Sequence, residues 1–176
     1  KVLLIGGSKV AVEAARSARR LGTSDVTVVY ARAGLEMAAN QRDIKEAEKE
    51  GVQFFMMAMP LGLHRRKKSG LSVEIARTVL SEPDARGFRQ PMPVEGSRLL
   101  WQGDVVIAAL GQEGDGALTR FGKHEAGLAL SPRKTIKVHP STMRTSLAGV
   151  FAGGEVASGP RSVIQAVDAG RRAAES

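Results

Sequence analysis

The sequence contains no cysteine, and this absence excludes several chemistries from the chain at once. Without a thiol it has no disulfide, no thiolate nucleophile, no cysteine-based zinc site and no cysteine-ligated iron–sulfur cluster. The histidines, His64, His124 and His139, lie far apart and show no metal-ligand spacing. We therefore expect no metal site in this chain, and a composition without cysteine fits a cytoplasmic protein.

Aromatic residues and long apolar runs are also scarce. The chain has 1 tryptophan and 1 tyrosine, too few for the stacking platforms that bind single-stranded nucleic acid. No apolar run approaches the ~20 residues of a membrane span, and the first run, Val2 to Ile5, is too short for a signal peptide. We therefore expect neither a nucleic acid nor a membrane as partner.

The charge balance, in contrast, is strongly positive. Lysine and arginine together number 26, aspartate and glutamate 18, which gives a net charge of +8. Such a field favours anionic partners, and phosphorylated cofactors are among them. The basic cluster from His64 to Lys68 is interpreted as a solvated hairpin tip rather than a nucleic-acid patch, because a charge cluster without a motif is a weak indicator.

Strand and helix signals alternate through the first third of the chain. Apolar runs predict buried parallel strands, and a 3.6-residue apolar period predicts helices, the first with alanines and Leu21 on its apolar face. The predicted elements are a strand over Val2–Ile5, a helix over 9–21, a strand over Val26–Tyr30, a helix between Asn40 and Gly51 and a strand over Val52–Met57. This βαβαβ order is half of a doubly wound nucleotide-binding sheet.

The next segment breaks this alternation. Strands without helices between them are predicted over Leu61–Arg65, Leu71–Leu80 and Arg98–Trp101, with a Pro- and Gly-rich loop over Glu82–Gly96 and a buried strand over Val105–Ala109. The predicted fold class is therefore α/β: a Rossmann-like three-layer nucleotide-binding domain over residues 1–114, with a parallel sheet and an antiparallel meander. Residues 115–176, with a helix over 161–174, are expected to form a separate part.

The turn after the first strand carries the main functional signal. A strand, glycines and a helix N-terminus form an anion site, because free N–H groups and the positive end of the helix dipole face one point. In the strict G-x-G-x-x-G/A motif the middle glycine lets the backbone approach a pyrophosphate, and here Ser8 takes that place between Gly6 and Ala11. The Ser8 hydroxyl could donate to a phosphate and Lys9 could add charge. A plain turn between a strand and a helix is the alternative.

Two further positions bear on cofactor choice. The second strand ends in Tyr30-Ala31-Arg32, without the acid that holds the ribose in NAD sites, which favours NADPH; a solvated loop arginine is the alternative. Near the C-terminus, Gly154-Glu155 ends an apolar run, and a helix start follows with Pro160 at a favourable first position. That region could face a flavin, although a turn and a helix cap explain it equally well. Because Lys1 leads directly into a predicted buried strand, we also expect the chain to be part of a longer polypeptide.

With these residues laid out, the sequence resembles a known group: the NADPH-binding region of the small subunit of glutamate synthase and related FAD-dependent pyridine nucleotide oxidoreductases. The matching stretches run in order along nearly the whole chain: IGGSKVAVEAARSARRLG, VTVVYARAGLEM, EAEKEGVQF, SEPDARGFRQPMPVEGS, DVVIAALGQ and RTSLAGVFAGGEVASGPRSVIQAVDAGRRAAES. The loop SEPDARGFRQPMP and the tail are the most specific of them.

The resemblance implies an NADPH domain inserted into an FAD domain, with residues from about 115 onward returning to the FAD domain. The first half of that FAD domain and an Fe–S segment would lie upstream of Lys1, and a larger catalytic subunit is an implied partner. The implied cofactors are NADPH (or NADH) and FAD, and no acid–base catalyst is assigned. In this interpretation the pyrophosphate contacts Gly6, Gly7, Ser8, Lys9 and Val10, and the 2′-phosphate contacts Arg32. The nicotinamide lies near Glu13, Gly111 and Gln112. FAD in the intact protein faces Gly154, Glu155, Arg161, Ser162 and Val163.

The chain also departs from the family pattern. The family usually has a third glycine in place of Ser8, asparagine in place of Lys9, a second arginine in place of Ala31 and aspartate in place of Glu155. Each change weakens one implied contact, and without cysteine the redox dithiol of thioredoxin-reductase-like relatives is absent. The expected function is the NAD(P)H-binding part of an oxidoreductase that passes hydride from NADPH to FAD. The alternative is a degenerate, non-catalytic nucleotide-binding or subunit-contact module.

Overall fold

The structure, a computed structural model, describes residues 1–67, 69–111, 127–159 and 162–176. The chain divides into two compact units, Lys1–Gly111 and Gln112–Ser176. The boundary expected after residue 114 falls among residues outside the described ranges.

The first unit is built around a parallel sheet of four strands in the order β3-β2-β1-β8. Its elements, in chain order, are β1 (Val2–Ile5), α1 (Lys9–Arg20), β2 (Val26–Tyr30), a 3₁₀ turn (Gly34–Glu36), α2 (Gln41–Lys49), β3 (Gln53–Met56), β4 (Ala58–Arg65), β5 (Leu71–Leu80), β6 (Pro91–Pro93), β7 (Leu99–Gly103) and β8 (Val105–Ala108). The predicted βαβαβ order is confirmed, and β8 joins β1 on the side opposite β2.

The apolar residues of β1 and β2 point alternately to the two faces of this sheet. Leu4 and Val28 lie on the face covered by α1 and α2. Val12 of α1 is fully buried in the same cluster. Leu3 and Val29 lie on the other face and pack against residues of β4 and β5. The first unit therefore has three layers, helices, parallel sheet and antiparallel sheet, as the sequence predicts.

Helix α1 starts and ends with ordinary caps, and its end differs from the prediction. Ser8 is the N-cap, the last helical residue is Arg20, and Leu21 follows as the C-cap. Leu21 is 87% exposed, so its assignment to the apolar face was wrong. Leu21 lies beyond the last helical residue, and the chain turns away at Gly22, where φ is 95°. Helix α2 is capped by Asn40, whose side chain accepts a hydrogen bond from the Arg42 N–H (2.9 Å).

An ion-pair network joins the C-terminal ends of α1 and α2. The Glu50 carboxylate accepts from Arg16 and Arg20, both at 2.7 Å, and its carbonyl accepts from Arg19 at 2.9 Å. The hydrogen bond from Arg16, followed by that from Arg20, lowers the pKa of Glu50 from 4.5 to about 2. The network holds the two helices together on the same face of the sheet.

The antiparallel sheet is organised around the long strand β5. Strand β4 pairs with one side of β5, with a register shift between Pro60 and Gly62. Strands β7 and β6 pair with successive parts of the other side. The predicted strand over Leu71–Leu80 is confirmed, and its Val73 and Ile75 are buried. Strand β6 lies inside the segment that was predicted to be a loop. The sequence did not indicate a strand there, because prolines are tolerated only in short or edge strands.

The described residues of the second unit, 127–159 and 162–176, form two β-bridges and two helices. Isolated β-bridges join Leu130 to Ile136 and Arg144 to Phe151. The helices are α3 (Glu155–Ser158) and α4 (Val163–Ala174). Ser162 is the N-cap of α4, so the helix begins two residues later than predicted. Its buried residue is Ala169, whereas Val163 and Val167 are exposed.

No helix in the described part of the chain has the length and apolar character that a membrane crossing requires.

Replacing a core leucine of β1 tests the central position of this strand. Leu4 is fully buried, so we expect Leu4→Ala to lower the free energy of unfolding by about 2–5 kcal/mol. The matched control is Leu21→Ala, at the exposed C-cap, with an expected change within about 0.5 kcal/mol. Urea unfolding followed by circular dichroism measures both, and equal effects would contradict the described core.

The Glu50 network predicts a pH dependence of stability. Because the pKa of Glu50 is lower in the folded state, the unfolded chain binds the proton first as the pH falls. The stabilisation is complete above pH 4.5 and is lost between pH 4.5 and about 2. We expect thermal unfolding of Glu50→Gln to depend less on pH in this window than wild type. Glu48→Gln, at an exposed position of α2, should retain the wild-type slope.

Candidate functional site

The carboxyl ends of β1, β2 and β8 lie at one edge of the parallel sheet. Strand β1 is followed there by Gly6, Gly7 and Ser8, β2 by Ala31 and Arg32, and β8 leads through Leu110 to Gly111. In an open parallel sheet, ligands bind at this edge where neighbouring strands connect in opposite directions, as β1 does between β2 and β8. The structure thus places most of the predicted cofactor residues of the first unit at one edge.

Position 6 requires glycine, because the chain after β8 passes very close to its backbone. Its N–H donates to the Val29 carbonyl (3.1 Å), and the Ala109 N–H donates to the Ile5 carbonyl (2.8 Å). A Cβ atom on Gly6 would overlap the Ala109 carbonyl oxygen, and its φ of 142° disfavours other residues. This glycine lets three strand ends meet in a small space.

Position 7 requires glycine, because the ring of Tyr30 packs directly against its backbone. A Cβ atom here would overlap the ring of Tyr30, whose hydroxyl donates to the Glu36 carbonyl at 3.0 Å. Burial raises the pKa of this tyrosine. The Gly7 carbonyl also accepts from the Ala39 N–H at 3.0 Å, which ties the turn to the segment before α2. The turn is therefore fixed by neighbours on both sides.

Ser8 caps α1 and leaves a donor available. Its Oγ accepts a long hydrogen bond from the Ala11 N–H (3.4 Å), and since a hydroxyl can accept and donate together, its proton is left for a ligand. The N–H groups of Lys9 and Val10 lie in the first turn, where no intrahelical acceptor exists. Lys9 pairs with Glu13 at 3.4 Å, and both side chains are exposed. This donor set fits an anionic diphosphate.

Arg32 is near the turn, but it is neither solvated nor free. Its side chain is 18% exposed and pairs with Glu36 at 2.9 Å. The second terminal nitrogen donates to the Arg89 carbonyl, and the guanidinium lies over the Phe88 ring, 4.6 Å from the centroid. The predicted 2′-phosphate ligand is therefore engaged by protein groups.

The segment that covers Arg32 is a closed loop, Ser81–Gln90. The Ser81 N–H donates to the Gln90 carbonyl (2.8 Å), and the Gln90 N–H donates to the Ser81 hydroxyl (2.9 Å). At the tip, the Asp84 carboxylate accepts from the N–H groups of Arg86 and Phe88. The prediction of a loop holds for these residues, and their own hydrogen bonds give it a defined shape.

Strand β5 fixes the backbone beside Arg32. The hydroxyl of Thr78, a buried polar side chain, donates to the Ala31 carbonyl at 2.7 Å. The Met57 N–H donates to the Arg32 carbonyl at 3.2 Å. The antiparallel sheet thus supports the end of β2 directly.

The remaining predicted residues lie in the second unit or outside the description. Gln112 and Arg161 are outside the described residues. Gly154 precedes α3 with φ 72°, and Glu155 is the exposed first residue of that helix. Ser162 accepts from the Gln165 N–H as the cap of α4, and Val163 is exposed.

Sequence reasoning missed Glu36, which lies six residues beyond β2 and was not considered as an acid at the strand end. The 3₁₀ turn Gly34–Glu36 brings it back to Arg32. A signal was present, since an arginine and a glutamate four residues apart are common ion-pair partners in helical turns. Phe88 and Arg89 carried no comparable signal, because nothing local places them near β2.

A cavity of about 600 Å³ lies at the opposite edge of the sheet, lined by Lys1, Arg66, Trp101 and Asp104 among others. It lies where β1 and β8 begin, so it is on the wrong side for a ligand of the glycine turn.

Comparison with known proteins identifies the family. Residues 1–170 match the model of the family described as pyridine nucleotide-disulphide oxidoreductase. The chain belongs to this family. The expected cofactor class, a pyridine nucleotide, is thereby confirmed at the level of the family.

Individual relatives agree with this assignment. The chain is 39% identical over 175 residues to the NADP(+)-dependent formate dehydrogenase subunit beta of Moorella thermoacetica, covering 99% of this chain and 24% of that protein. It is 35% identical over 174 residues to the glutamate synthase [NADPH] small chain of Azospirillum brasilense, covering 99% and 36%. The chain thus spans well under half the length of these relatives. The predicted resemblance to glutamate synthase small subunits is confirmed.

A solved structure confirms the fold class. The thioredoxin reductase of T. acidophilum superposes with a TM-score of 0.73 at 25% identity, covering 99% of this chain and 50% of that one. The Rossmann-like α/β architecture is therefore shared with that reductase.

The packing of Tyr30 on Gly7 can be tested by substitution. We expect Gly7→Ala to lower the free energy of unfolding by about 1–3 kcal/mol, because the added methyl group overlaps the tyrosine ring. Gly34→Ala is the control, since a Cβ there would lie at an ordinary 3.5 Å from the Met56 methyl group. Thermal melts of both variants provide the comparison. Equal melting temperatures would show that the ring does not restrict Gly7.

Proposed function

We propose that this chain binds NAD(P)H in the first unit and forms part of a flavin-dependent oxidoreductase in which hydride passes from NADPH to FAD. The family supports redox chemistry with a pyridine nucleotide. The observation that carries the proposal for this chain is the start of α1 after Gly6-Gly7-Ser8, at the edge where β1 lies between β2 and β8.

The residues of the glycine turn would hold the diphosphate. The N–H groups of Lys9 and Val10 and the hydroxyl of Ser8 are donors, and the dipole of the 12-residue helix α1 favours negative charge at the same point. The Lys9 ammonium adds positive charge, although its pairing with Glu13 reduces that contribution. Because Gly6 and Gly7 are fixed by β8 and Tyr30, these donors need little rearrangement before binding.

The two ends of the coenzyme would extend to opposite sides of the turn. Arg32, at the end of β2, would meet the 2′-phosphate of the adenosine half, since a guanidinium binds phosphate through paired N–H groups. Glu13 and the Gly111-Gln112 turn would lie near the nicotinamide half. The bound nicotinamide supplies a hydride, while the protein supplies orientation and electrostatics, so no side chain is assigned as an acid or base.

The second unit has a separate proposed role. Residues from about 115 onward would belong to the FAD-binding domain, with Gly154, Glu155, Arg161, Ser162 and Val163 facing the flavin cofactor. A longer parent protein is supported by the relatives, because this chain spans 24% and 36% of their length. An Fe–S segment and a larger catalytic subunit would then accept electrons from the flavin.

An aspartate at Ser8 provides a direct test in the full-length protein. Aspartate caps a helix as well as serine does, so the fold should be retained. Its carboxylate would occupy the anion site, and we expect Ser8→Asp to weaken binding of both NADPH and NADH by at least about tenfold. The control is Ser24→Asp, the same substitution at an exposed position before β2, at the opposite edge of the sheet. Isothermal titration calorimetry measures the affinities.

The outcomes separate the two functional hypotheses. Wild-type binding that Ser8→Asp abolishes and Ser24→Asp preserves supports the coenzyme site. Absence of binding to wild type would support the non-catalytic module instead. Equal weakening by both substitutions would indicate a general charge effect and would contradict binding at the turn.

A further inference from the structure

The arginine proposed to bind a 2′-phosphate already contacts protein partners through both terminal nitrogens. One terminal nitrogen of Arg32 contacts Glu36 at 2.9 Å, and the other donates to the Arg89 carbonyl. The Phe88 ring covers one face of the guanidinium. A phosphate prefers to bind a guanidinium through two parallel N–H groups, so it has to share or displace these partners.

Of these partners, Glu36 is the one that carries a negative charge and therefore repels an anionic ligand. Its second carboxylate oxygen accepts from the Ala33 N–H at 3.1 Å, which holds the side chain in place. The hydrogen bonds from Arg32 and then Ala33 lower its pKa, so the group is an anion at neutral pH. The Glu36 side chain is 37% exposed and is therefore accessible to an incoming ligand.

The same carboxylate has opposite effects on the two nicotinamide coenzymes. A 2′-phosphate approaching Arg32 is repelled by Glu36 and competes with it for the guanidinium. A free 2′-hydroxyl has no charge and can donate a hydrogen bond to a carboxylate, as in NAD sites. The Arg32–Glu36 pair thus combines the features that favour NADPH with those that favour NADH.

We propose that Glu36 competes with the coenzyme's 2′-phosphate for Arg32 and thereby sets the ratio of NADPH to NADH affinity. This inference rests on the proposed coenzyme site at the glycine turn. Glu36 acts as a specificity determinant: with the carboxylate present the site discriminates weakly, and without it Arg32 selects the phosphorylated coenzyme.

Removing the charge while keeping the shape of Glu36 tests this proposal. Glutamine still accepts from the Ala33 N–H, so Glu36→Gln retains the local turn. We expect it to bind NADPH about tenfold more tightly and to change NADH affinity by less than about threefold. Calorimetry with each coenzyme on the full-length protein gives the ratio, and thermal melts report the fold.

A matched control separates the local effect from the change in net charge. Glu74 pairs with Arg98 at 3.6 Å and is 39% exposed, nearly the same as Glu36, but it lies on β5 of the antiparallel sheet. Glu74→Gln changes the net charge equally and should leave the coenzyme ratio at the wild-type value. The double variant Arg32→Gln with Glu36→Gln should lose the gain of the single variant, because the competition requires the arginine.

The possible results point to different conclusions. If both coenzymes bind wild type and Glu36→Gln leaves their ratio unchanged, the inference about Glu36 is overturned and the coenzyme site remains. If Glu74→Gln shifts the ratio as much as Glu36→Gln, the effect is long-range charge and the inference also fails. If neither coenzyme binds wild type or any variant, the proposed function is overturned, and this inference with it.

Discussion

The burial of β1 on both faces is the constraint on which the rest of the first unit depends. Leu4 packs beneath the helices and Leu3 against the antiparallel sheet, so the strand has no solvent-facing side. It is also hydrogen-bonded to β2 and β8 along both edges. Beyond the carboxyl end of this enclosed strand, the chain must turn within the space left by Ala109 and Tyr30. Only glycine fits that space at Gly6 and Gly7.

The antiparallel sheet contributes to the candidate site as well as to the core. Its inner face covers the parallel sheet through Val73 and Ile75, and Thr78, further along β5, bonds to the end of β2. Strand β5 then leads into the Ser81–Gln90 loop that covers Arg32. One strand therefore links the packing of the core to the surroundings of the arginine.

The parallel half of the fold was predictable because its signals are local. Apolar runs and the Gly6-Gly7 turn specify β1, α1 and β2 without reference to distant residues. The surroundings of Arg32 were not predictable in this way, since Phe88 and Arg89 reach it from far along the chain. For the same reason the sequence left Arg32 as either a phosphate ligand or a solvated side chain, and the structure shows an ion pair with Glu36. The helix predicted over 161–174 was also found from local signals, although its start at Val163 depends on the Ser162 cap.

The Ser81–Gln90 loop has a consequence for how such a protein diversifies. Because hydrogen bonds between Ser81 and Gln90 close its base, the tip can accept substitutions without disturbing either sheet. Of the loop's two contacts with Arg32, the Phe88 ring depends on the identity of a side chain, whereas the Arg89 carbonyl is present with any residue at that position, so substitution within the loop changes the ring contact and keeps the backbone one.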